Sequence, residues 1–203
     1  MPRVEAKVRP FRSEDARAAA ALLYESAGGL YDRYAGSPRL ARRALSRALE
    51  RDDTTASHDV VWVAELDGRV AGAMAAMPVD WWATRSREFL SVTLRAIPPW
   101  RWPTALWLYR TGARAAPALP TDSLYVDSLA TAAHARRRGV ARALLAEADR
   151  QAGTRGLRRV ALDAFADNHA ARALYRGAGY RETGSTPASG AMPAGVSLIK
   201  DLS

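Results

Sequence analysis

The residues most suggestive of chemistry form a short basic turn that contains a glycine, Arg136-Arg137-Arg138-Gly139-Val140-Ala141. The turn lies between a predicted strand and a predicted helix, where the first amides of the helix have no partner within it and point outward. Together with the helix dipole, these amides form a site for an anion such as a phosphate. A glycine lets a phosphate approach the backbone closely, and three arginines add attraction at longer range. The turn has neither the spacing of the dinucleotide fingerprint nor that of the P-loop.

The composition excludes several other kinds of chemistry. The chain contains no cysteine, which excludes disulfide scaffolds, thiolate zinc sites and cysteine nucleophiles. No cluster of His, Asp and Glu has the spacing of a metal site, so we expect no metal. His134 and His169 adjoin the motifs and are expected to be solvated. The formal charge of +9 rests on arginine, since Lys7 and Lys200 are the only lysines, and it predicts attraction to polyanions.

Length and hydropathy favour one soluble domain. The 203 residues, 48% hydrophobic and 25% charged, suffice for a single domain with its own core. The N-terminus, MPRVEAKVRP, lacks the apolar region of a signal peptide. The longest uncharged stretch, 183–199, is interrupted by prolines and glycines and cannot cross a bilayer as a helix. We therefore expect a cytoplasmic protein without a membrane partner.

The elements that must position the basic turn are predicted from alternation, caps and turn signals. In the first half of the chain they are a strand over 4–9, a helix capped by Ser13 and ended by Gly28-Gly29, a helix from Ser37-Pro38 to about 50, and a hairpin of strands 60–66 and 69–77 around Asp67-Gly68. In the second half they are a strand over 123–131, a helix over 135–152, a strand over 159–165, a helix over 168–177, and strands over 180–183 and 196–200. The alternation of strands and helices in the second half predicts an α/β arrangement with parallel pairing at the centre of the sheet.

Residues 79–120 stand apart from this order as an insert rich in tryptophan and arginine. The insert holds five of the six tryptophans and six arginines, with only Asp80 and Glu88 as acidic residues. Prolines divide it into two predicted helices, over about 84–96 and 104–115. It is expected to pack its tryptophans on the body of the protein or to cover a pocket, and the two are compatible.

Residues 123–183 resemble the core of the GNAT superfamily of acetyl-CoA-dependent N-acetyltransferases. The cofactor motif of that family, Gln/Arg-x-x-Gly-x-Gly/Ala, is matched by Arg136, Gly139 and Ala141. The family's second signature is an asparagine followed by a short helix that ends in Tyr and by a Gly-aromatic pair. It is matched in order and spacing by Asn168, Ala171, Tyr175, Gly179 and Tyr180. The resemblance implies one GNAT-like domain over 1–203, a mixed α/β central sheet with splayed parallel strands, and flanking helices.

The resemblance also implies how acetyl-CoA would be held. Backbone groups of Leu129, Ala130 and Thr131 would bind the pantetheine arm as an added strand would, in the gap between the splayed strands. The amides of Arg137 to Arg142 would hold the pyrophosphate. The complete turn assigned to the cofactor is Arg136, Arg137, Arg138, Gly139, Val140, Ala141 and Arg142. Asn168 would contact the arm, cap the following helix, or do both.

Two residues are candidates for catalysis on the same resemblance. Tyr175 would stand near the sulfur, where a phenol can protonate a departing thiolate because the two pKa values are close, near 10 and about 8–9. The alternative for Tyr175 is a core aromatic residue. Asp127 is the candidate base, and an exposed or ion-paired carboxylate is its alternative. Strand alternation predicts Tyr125, Asp127 and Leu129 on one face.

The predicted activity is transfer of an acetyl group from acetyl-CoA to a primary amine by direct attack. The acceptor would be a small-molecule or peptide amine, and the insert is expected to form part of its pocket, where Arg85, Arg87 or Arg101 would hold an acidic group and repel a polycation. A non-catalytic acyl-CoA-binding module is one alternative. A basic nucleic-acid-binding protein is the other, disfavoured because the chain has no known nucleic-acid-binding motif. The oligomeric state stays open, a homodimer included.

Overall fold

A seven-stranded mixed sheet forms the centre of the fold. The computed structural model describes residues 6–116, 118–190 and 192–202. In chain order the strands are β1 (Lys7–Pro10), β2 (Val61–Leu66), β3 (Arg69–Pro78), β4 (Ser123–Thr131), β5 (Arg159–Phe165), β6 (Arg181–Thr186) and β7 (Gly195–Asp201). Their order across the sheet is β1-β2-β3-β4-β5-β7-β6, and of these described strands only the central pair, β4 and β5, runs parallel. The predicted mixed sheet with a parallel centre is confirmed.

Helices cover both faces of this sheet. Those in the described residues are α1 (Ala16–Ser26), α2 (Leu30–Ala35), α3 (Pro38–Leu49), α4 (Val79–Leu94), α5 (Trp102–Ala115), α6 (Val140–Thr154) and α7 (His169–Arg176). On one face α6 buries an apolar stripe that includes Leu144 and Leu145. On the other face α1 and α3 bury Leu23 and Leu45. The sheet is therefore a middle layer with a core on each side.

Two short sequence signals adopt the local structures predicted for them. The Ser37 hydroxyl accepts a hydrogen bond from the amide of Leu40 at 3.3 Å, so Ser37-Pro38 begins α3 as predicted. Asp67 and Gly68 have φ angles of 54° and 73°, which suit the tight turn of the predicted hairpin between β2 and β3. In both cases the residues that determine the structure are neighbours in the sequence.

The N-terminal part differs from its prediction in two ways. The predicted N-cap at Ser13 is wrong, because a 3-10 turn precedes α1 and the carboxylate of Asp15 accepts the amide of Arg12 at 2.8 Å instead. Gly28 and Gly29 end α1 as predicted, but the short helix α2 that follows has no counterpart in the predicted order. Of the predicted first strand, residues 4 and 5 lie outside the described residues.

The start of α6 is a further correction. The prediction places the helix from Ala135, whereas a 3-10 turn ends there and α6 begins at Val140. The physical reason is the backbone between them, because Arg137 and Gly139 have φ angles of 61° and 87° and a right-handed helix cannot continue through them. The basic turn is thus a loop that leads into a helix N-terminus.

The central strands separate partway along their length. β4 pairs with β5 only from Ser123–Arg159 to Val126–Leu162 in the described register. Beyond this point β4 pairs with β3, up to Thr131 opposite Gly72, while the end of β5 pairs with β7. The predicted splay is therefore present, and it leaves one backbone edge of β4 facing a gap.

The insert forms two helices, α4 and α5, as predicted, but α4 begins five residues early. It starts at Val79, directly after Pro78 at the end of β3, and a 3-10 turn joins it to α5. Most of its tryptophans are exposed rather than packed on the body: Trp81, Trp100, Trp102 and Trp107. Among the described residues, no helix combines the length and the apolar character needed to cross a membrane.

Candidate active site

A cavity of about 1990 Å³ opens where β4 and β5 part. It is lined by β4 from Tyr125 to Thr131, by the basic turn and the start of α6, by the end of β5 and by α7. The residues assigned from the sequence all lie on its wall: Asp127, Leu129, Ala130, Thr131, Arg136, Arg137, Arg138, Gly139, Val140, Ala141, Arg142, Asn168 and Tyr175. The fold thus brings together, around one space, residues that are up to 48 positions apart in the sequence.

The basic turn presents backbone amides to this cavity. The first hydrogen bond of α6 runs from the amide of Ala143 to the carbonyl of Gly139 at 3.0 Å, so the amides of Val140, Ala141 and Arg142 have no acceptor within the helix. Gly139 needs its positive φ to turn the chain into the helix, and a Cβ at that position would face open space. The positive end of the helix dipole adds to the attraction for an anion.

The exposed edge of β4 offers a second set of backbone groups. Leu129, Ala130 and Thr131 pair with β3 on one side and border the cavity on the other. A strand edge without a neighbour presents amides and carbonyls at the spacing of an extended chain. The hydroxyl of Thr131 is also buried without a hydrogen-bond partner among the described residues. Together these groups fit an extended arm that carries amides, as pantetheine does.

Asn168 holds the start of α7 at the rim of the cavity. Its side-chain oxygen accepts the amide of Ala171 at 3.1 Å, so the predicted N-cap is present. The side chain is exposed and lines the cavity, which leaves its NH₂ group available to a ligand.

Tyr175 reaches the same cavity from the last turn of α7. Its side chain is buried, and its ring centroid lies 6.0 Å from that of Tyr180. Burial, together with the charge of Asp163, raises the pKa of Tyr175 to about 12. The phenol is protonated at neutral pH, which is the form a general acid needs, but its pKa lies further from that of a thiol than the ordinary value near 10 does.

Asp127 lies at a β-bulge in β4. Ser128 pairs with Ala75 and Val126 pairs with Ala76, so Asp127 is an extra residue with no partner in the register. A bulge turns a side chain away from regular alternation. The prediction that Leu129 shares a face with Asp127 is wrong for this reason, because Leu129 packs against the core under α6.

The surroundings of Asp127 control its protonation. The indole N–H of Trp82, on α4, donates to its Oδ1 at 2.8 Å. Burial raises the pKa of Asp127 to about 6, the Trp82 hydrogen bond opposes this shift, and the negative charge of Asp163 adds to it. A carboxylate with this pKa is ionised at neutral pH and still basic enough to accept a proton.

Asp163 is a site residue that sequence reasoning missed. It stands on β5 just beyond the splay and accepts a hydrogen bond from the hydroxyl of Tyr125. Its carboxylate opens onto the cavity, but protein encloses it on the other sides, and this desolvation raises its pKa. A signal was available, because Asp163 is the only charged residue within the apolar run Val160–Phe165.

The cavity is polarised between its two ends. The basic turn contributes arginines at one end, whereas Glu25 of α1, Asp127 and Asp163 contribute carboxylates elsewhere on the wall. Tyr31 of α2 also lines the acidic part, where burial and the charge of Asp127 raise its pKa. The acidic part of the cavity therefore attracts cations.

The arginines of the insert do not line this cavity, contrary to expectation. Arg85 is buried and donates to both carboxylate oxygens of Asp59, at 2.6 and 3.1 Å. Arg101 donates to the carbonyl of Arg33, and Arg87 to the carbonyl of Ala83 at 3.2 Å. No described residue of the insert is on the cavity wall, so the reason for expecting repulsion of a polycation is removed.

Comparisons with known proteins give the family and the fold of the chain. A sequence model described as the acetyltransferase (GNAT) family matches residues 27–180. A solved N-acetyltransferase from Staphylococcus aureus Mu50 has a TM-score of 0.72 at 20% identity, over 96% of this chain and 100% of that chain. A ribosomal-protein-alanine N-acetyltransferase from Brucella melitensis has a TM-score of 0.58 at 20% identity, over 97% and 99%. At these identities the likeness is one of fold, and no curated protein matches the sequence significantly.

The described residues contain no group of three or more His, Asp or Glu side chains that could hold a metal ion.

Proposed function

Because the chain belongs to the GNAT acetyltransferase family, we propose that it transfers the acetyl group of acetyl-CoA to a primary amine by direct attack. The acceptor is a small-molecule or peptide amine. One observation carries the proposal: the gap between β4 and β5 leads from an anion site at a helix N-terminus to a carboxylate and a phenol on the wall of one cavity.

The cofactor end binds acetyl-CoA through backbone groups. The amides of Val140, Ala141 and Arg142 bind the pyrophosphate, and the free edge of β4 at 129–131 hydrogen-bonds the pantetheine arm. The arginines of the turn attract the phosphates at longer range, and Asn168 adds a contact at the rim. The thioester then lies near the splay point, between Asp127 and Tyr175.

The acceptor end prepares the amine for attack. An amine enters mainly as an ammonium ion, which the carboxylates of Asp127 and Asp163 attract. Asp127 accepts one proton, and the neutral nitrogen attacks the carbonyl carbon of the thioester. Orientation within one cavity replaces an encounter in solution, which is a large part of such rate enhancements.

Tyr175 completes the reaction at the sulfur. As the new C–N bond forms and the C–S bond breaks, the phenol donates its proton to the departing thiolate. Tyr175 regains a proton, by way of solvent, from one of the two N–H groups of the cationic intermediate, and the other N–H stays in the amide product. Asp127 releases the proton that it accepted to water. No covalent acetyl-enzyme is formed, in keeping with the absence of cysteine.

The experiment that tests the proposal is an acceptor screen with acetyl-CoA and detection of free thiol. Amine-dependent thiol release with intersecting initial-rate plots is expected, because both substrates must be bound together. Parallel plots would contradict direct attack. Acetyl-CoA binding without thiol release from any amine would favour the acyl-CoA-binding module.

Tyr175→Phe tests the acid at the sulfur. The change removes a single oxygen, so acetyl-CoA affinity should be kept while turnover falls roughly tenfold or more. Tyr180→Phe is the matched control, since Tyr180 is a neighbouring buried phenol whose hydroxyl has no partner among the described residues. Equal turnover of the two variants would assign Tyr175 to the core.

A further inference from the structure

The tryptophan insert contacts the proposed reaction centre through one side chain. Trp82 stands on the first turn of α4, and its indole N–H donates to Oδ1 of Asp127 at 2.8 Å. Its ring also meets that of Tyr125 edge to face, with centroids 6.4 Å apart. Tyr125 in turn donates to Asp163. A single indole thus contacts one carboxylate of the cavity directly and supports the phenol that holds the other.

The backbone gives Trp82 a fixed position. α4 starts at Val79 with no intervening loop, and the preceding residue, Pro78, is paired with Leu124 of β4. Trp82 therefore lies one turn beyond the sheet, beside the strand that carries Asp127. Only a short length of backbone lies between Trp82 and the paired residues Pro78 and Leu124, and between Leu124 and Asp127, so the two side chains have little freedom to move apart.

A second anchor of α4 is Arg85, three residues after Trp82 and so close to it on the helix surface. Its buried guanidinium donates to Asp59, to the carbonyl of Thr54 at 3.1 Å and to the hydroxyl of Ser57 at 3.0 Å. The loop over 54–59 thereby holds the helix in place. Because α4 is held both by β3 and by this loop, its indole is ordered before any ligand binds.

We propose that Trp82 is a positioning residue that holds the carboxylate of Asp127 toward the acceptor amine. The inference rests on the proposed function and adds a role for the insert in it. An indole N–H can only donate, so this contact fixes Oδ1 of Asp127. The other oxygen, Oδ2, accepts only a long hydrogen bond of 3.5 Å from the Ser128 hydroxyl among the described residues and keeps lone-pair capacity for the amine. The bulge frees Asp127 from the strand register, and Trp82 then determines where its side chain lies.

The contact has a signature that a merely structural role lacks. A hydrogen bond to a carboxylate favours the ionised form, so its loss raises the pKa of Asp127. The other titratable groups around Asp127 are Glu25 of α1, Tyr31 of α2, Tyr125 of β4 and Asp163 of β5, and a substitution at Trp82 leaves the chemical identity of all four unchanged.

The test is Trp82→Phe in the full chain, with Trp107→Phe as the matched control on the exposed face of α5. The acidic limb of kcat/KM against pH is expected to move up by about one pH unit in Trp82→Phe. It should not move in Trp107→Phe. A uniform loss of rate at every pH, with an unmoved limb, would show a packing role and overturn the inference.

A second measurement separates this inference from the proposed function. The carboxyl carbon of Asp127, labelled with ¹³C and assigned with Asp127→Asn, can be titrated by NMR without any substrate. If the NMR pKa of Asp127 rises in Trp82→Phe and the acidic limb of kcat/KM moves up with it, both claims are supported. An unchanged NMR titration overturns the inference and leaves the proposed function standing. A raised NMR pKa with an unmoved kinetic limb means that Asp127 is not the base, which overturns that part of the proposed function and the catalytic role of Trp82 with it.

Discussion

The two ends of the cavity are made from different parts of the polypeptide. At the proposed cofactor end the groups assigned to the ligand are backbone amides of a helix N-terminus and a strand edge, within residues 129–142. At the acceptor end they are side chains from α1, α2, β4 and β5, supported by α4. The first end is formed by a continuous stretch of chain and the second by packing. One fold can therefore keep its cofactor site while the side chains around the acceptor change.

Because the acceptor end is made of side chains, we expect a side-chain substitution there, at Asp127, to have the largest effect on acetyl transfer. Asp127→Asn keeps the shape and can still accept from Trp82, but it removes the base. We expect kcat/KM to fall roughly a hundredfold or more, with unchanged acetyl-CoA affinity, and the acidic limb near pH 6 to disappear. Asp122→Asn, at a carboxylate that pairs with Arg159 instead, should retain activity. Near-normal turnover of Asp127→Asn would move the base to another group.

The same variant should be more stable than the parent above pH 6. Asp127 has a folded-state pKa of about 6, above its ordinary value of 3.8, so the folded protein binds this proton more tightly than the unfolded chain does. Ionisation of Asp127 therefore costs stability as the pH rises through this range, and the cost is absent near pH 3.5. Urea unfolding should show a gain of about 1–2 kcal/mol for Asp127→Asn at pH 7.5, after allowance for partial exposure, and almost none at pH 3.5.

At the cofactor end, only a change of backbone conformation should have a large effect. Gly139→Val forces a β-branched residue into a φ of 87°, which distorts the turn and should weaken acetyl-CoA binding by about tenfold or more. Gly156→Val is a matched control, with a φ of 67° and open space at the other end of α6. It should lose stability in a similar way but keep its affinity, measured by isothermal titration. Equal acetyl-CoA affinity of the two variants would show that the turn does not bind the cofactor.

These two ends also differ in how far the sequence predicts them. The cap at Asn168 and the glycine at the basic turn depend on near neighbours, so their types and spacing are readable. The indole of Trp82 and the carboxylate of Asp127 are 45 positions apart, and no local pattern indicates that they meet. Asp163 was readable as a charge within an apolar strand, but its partner Tyr125 was not.

The other differences between the predicted and the observed structure come from backbone conformations that depend on packing. The φ of 61° at Arg137 delays α6 to Val140, and an arginine gives no sign of that conformation. The bulge at Asp127 sends Leu129 to the opposite face, and a strict alternation cannot foresee an extra residue. In both places the departure from the regular pattern lies on the wall of the cavity.

The smallest effect on transfer is expected from Arg85 of the insert, which acts on Asp127 only indirectly, as one of two anchors of the helix that carries Trp82. Arg85→Ala removes the guanidinium from Asp59 and from the carbonyl of Thr54, and both keep their contacts with Ser57, so urea unfolding should show a loss of about 1–3 kcal/mol. The ranking of acceptors should not change, because Arg85 does not face the cavity. Arg87→Ala, at an exposed position of the same helix, should change stability by no more than about 0.5 kcal/mol. An altered preference between acidic and neutral acceptors in Arg85→Ala would show that Arg85 contacts the acceptor and would contradict this prediction.

We propose above all that acetyl-CoA lies in the gap between β4 and β5 and is held there by backbone groups. Amide hydrogen exchange of the full chain, with and without acetyl-CoA, tests it most directly. Slower exchange on binding is predicted for the amides of 129–131 and 140–142, with no comparable change in α4 and α5. Unchanged exchange in both segments, together with protection elsewhere in the molecule, would contradict the claim.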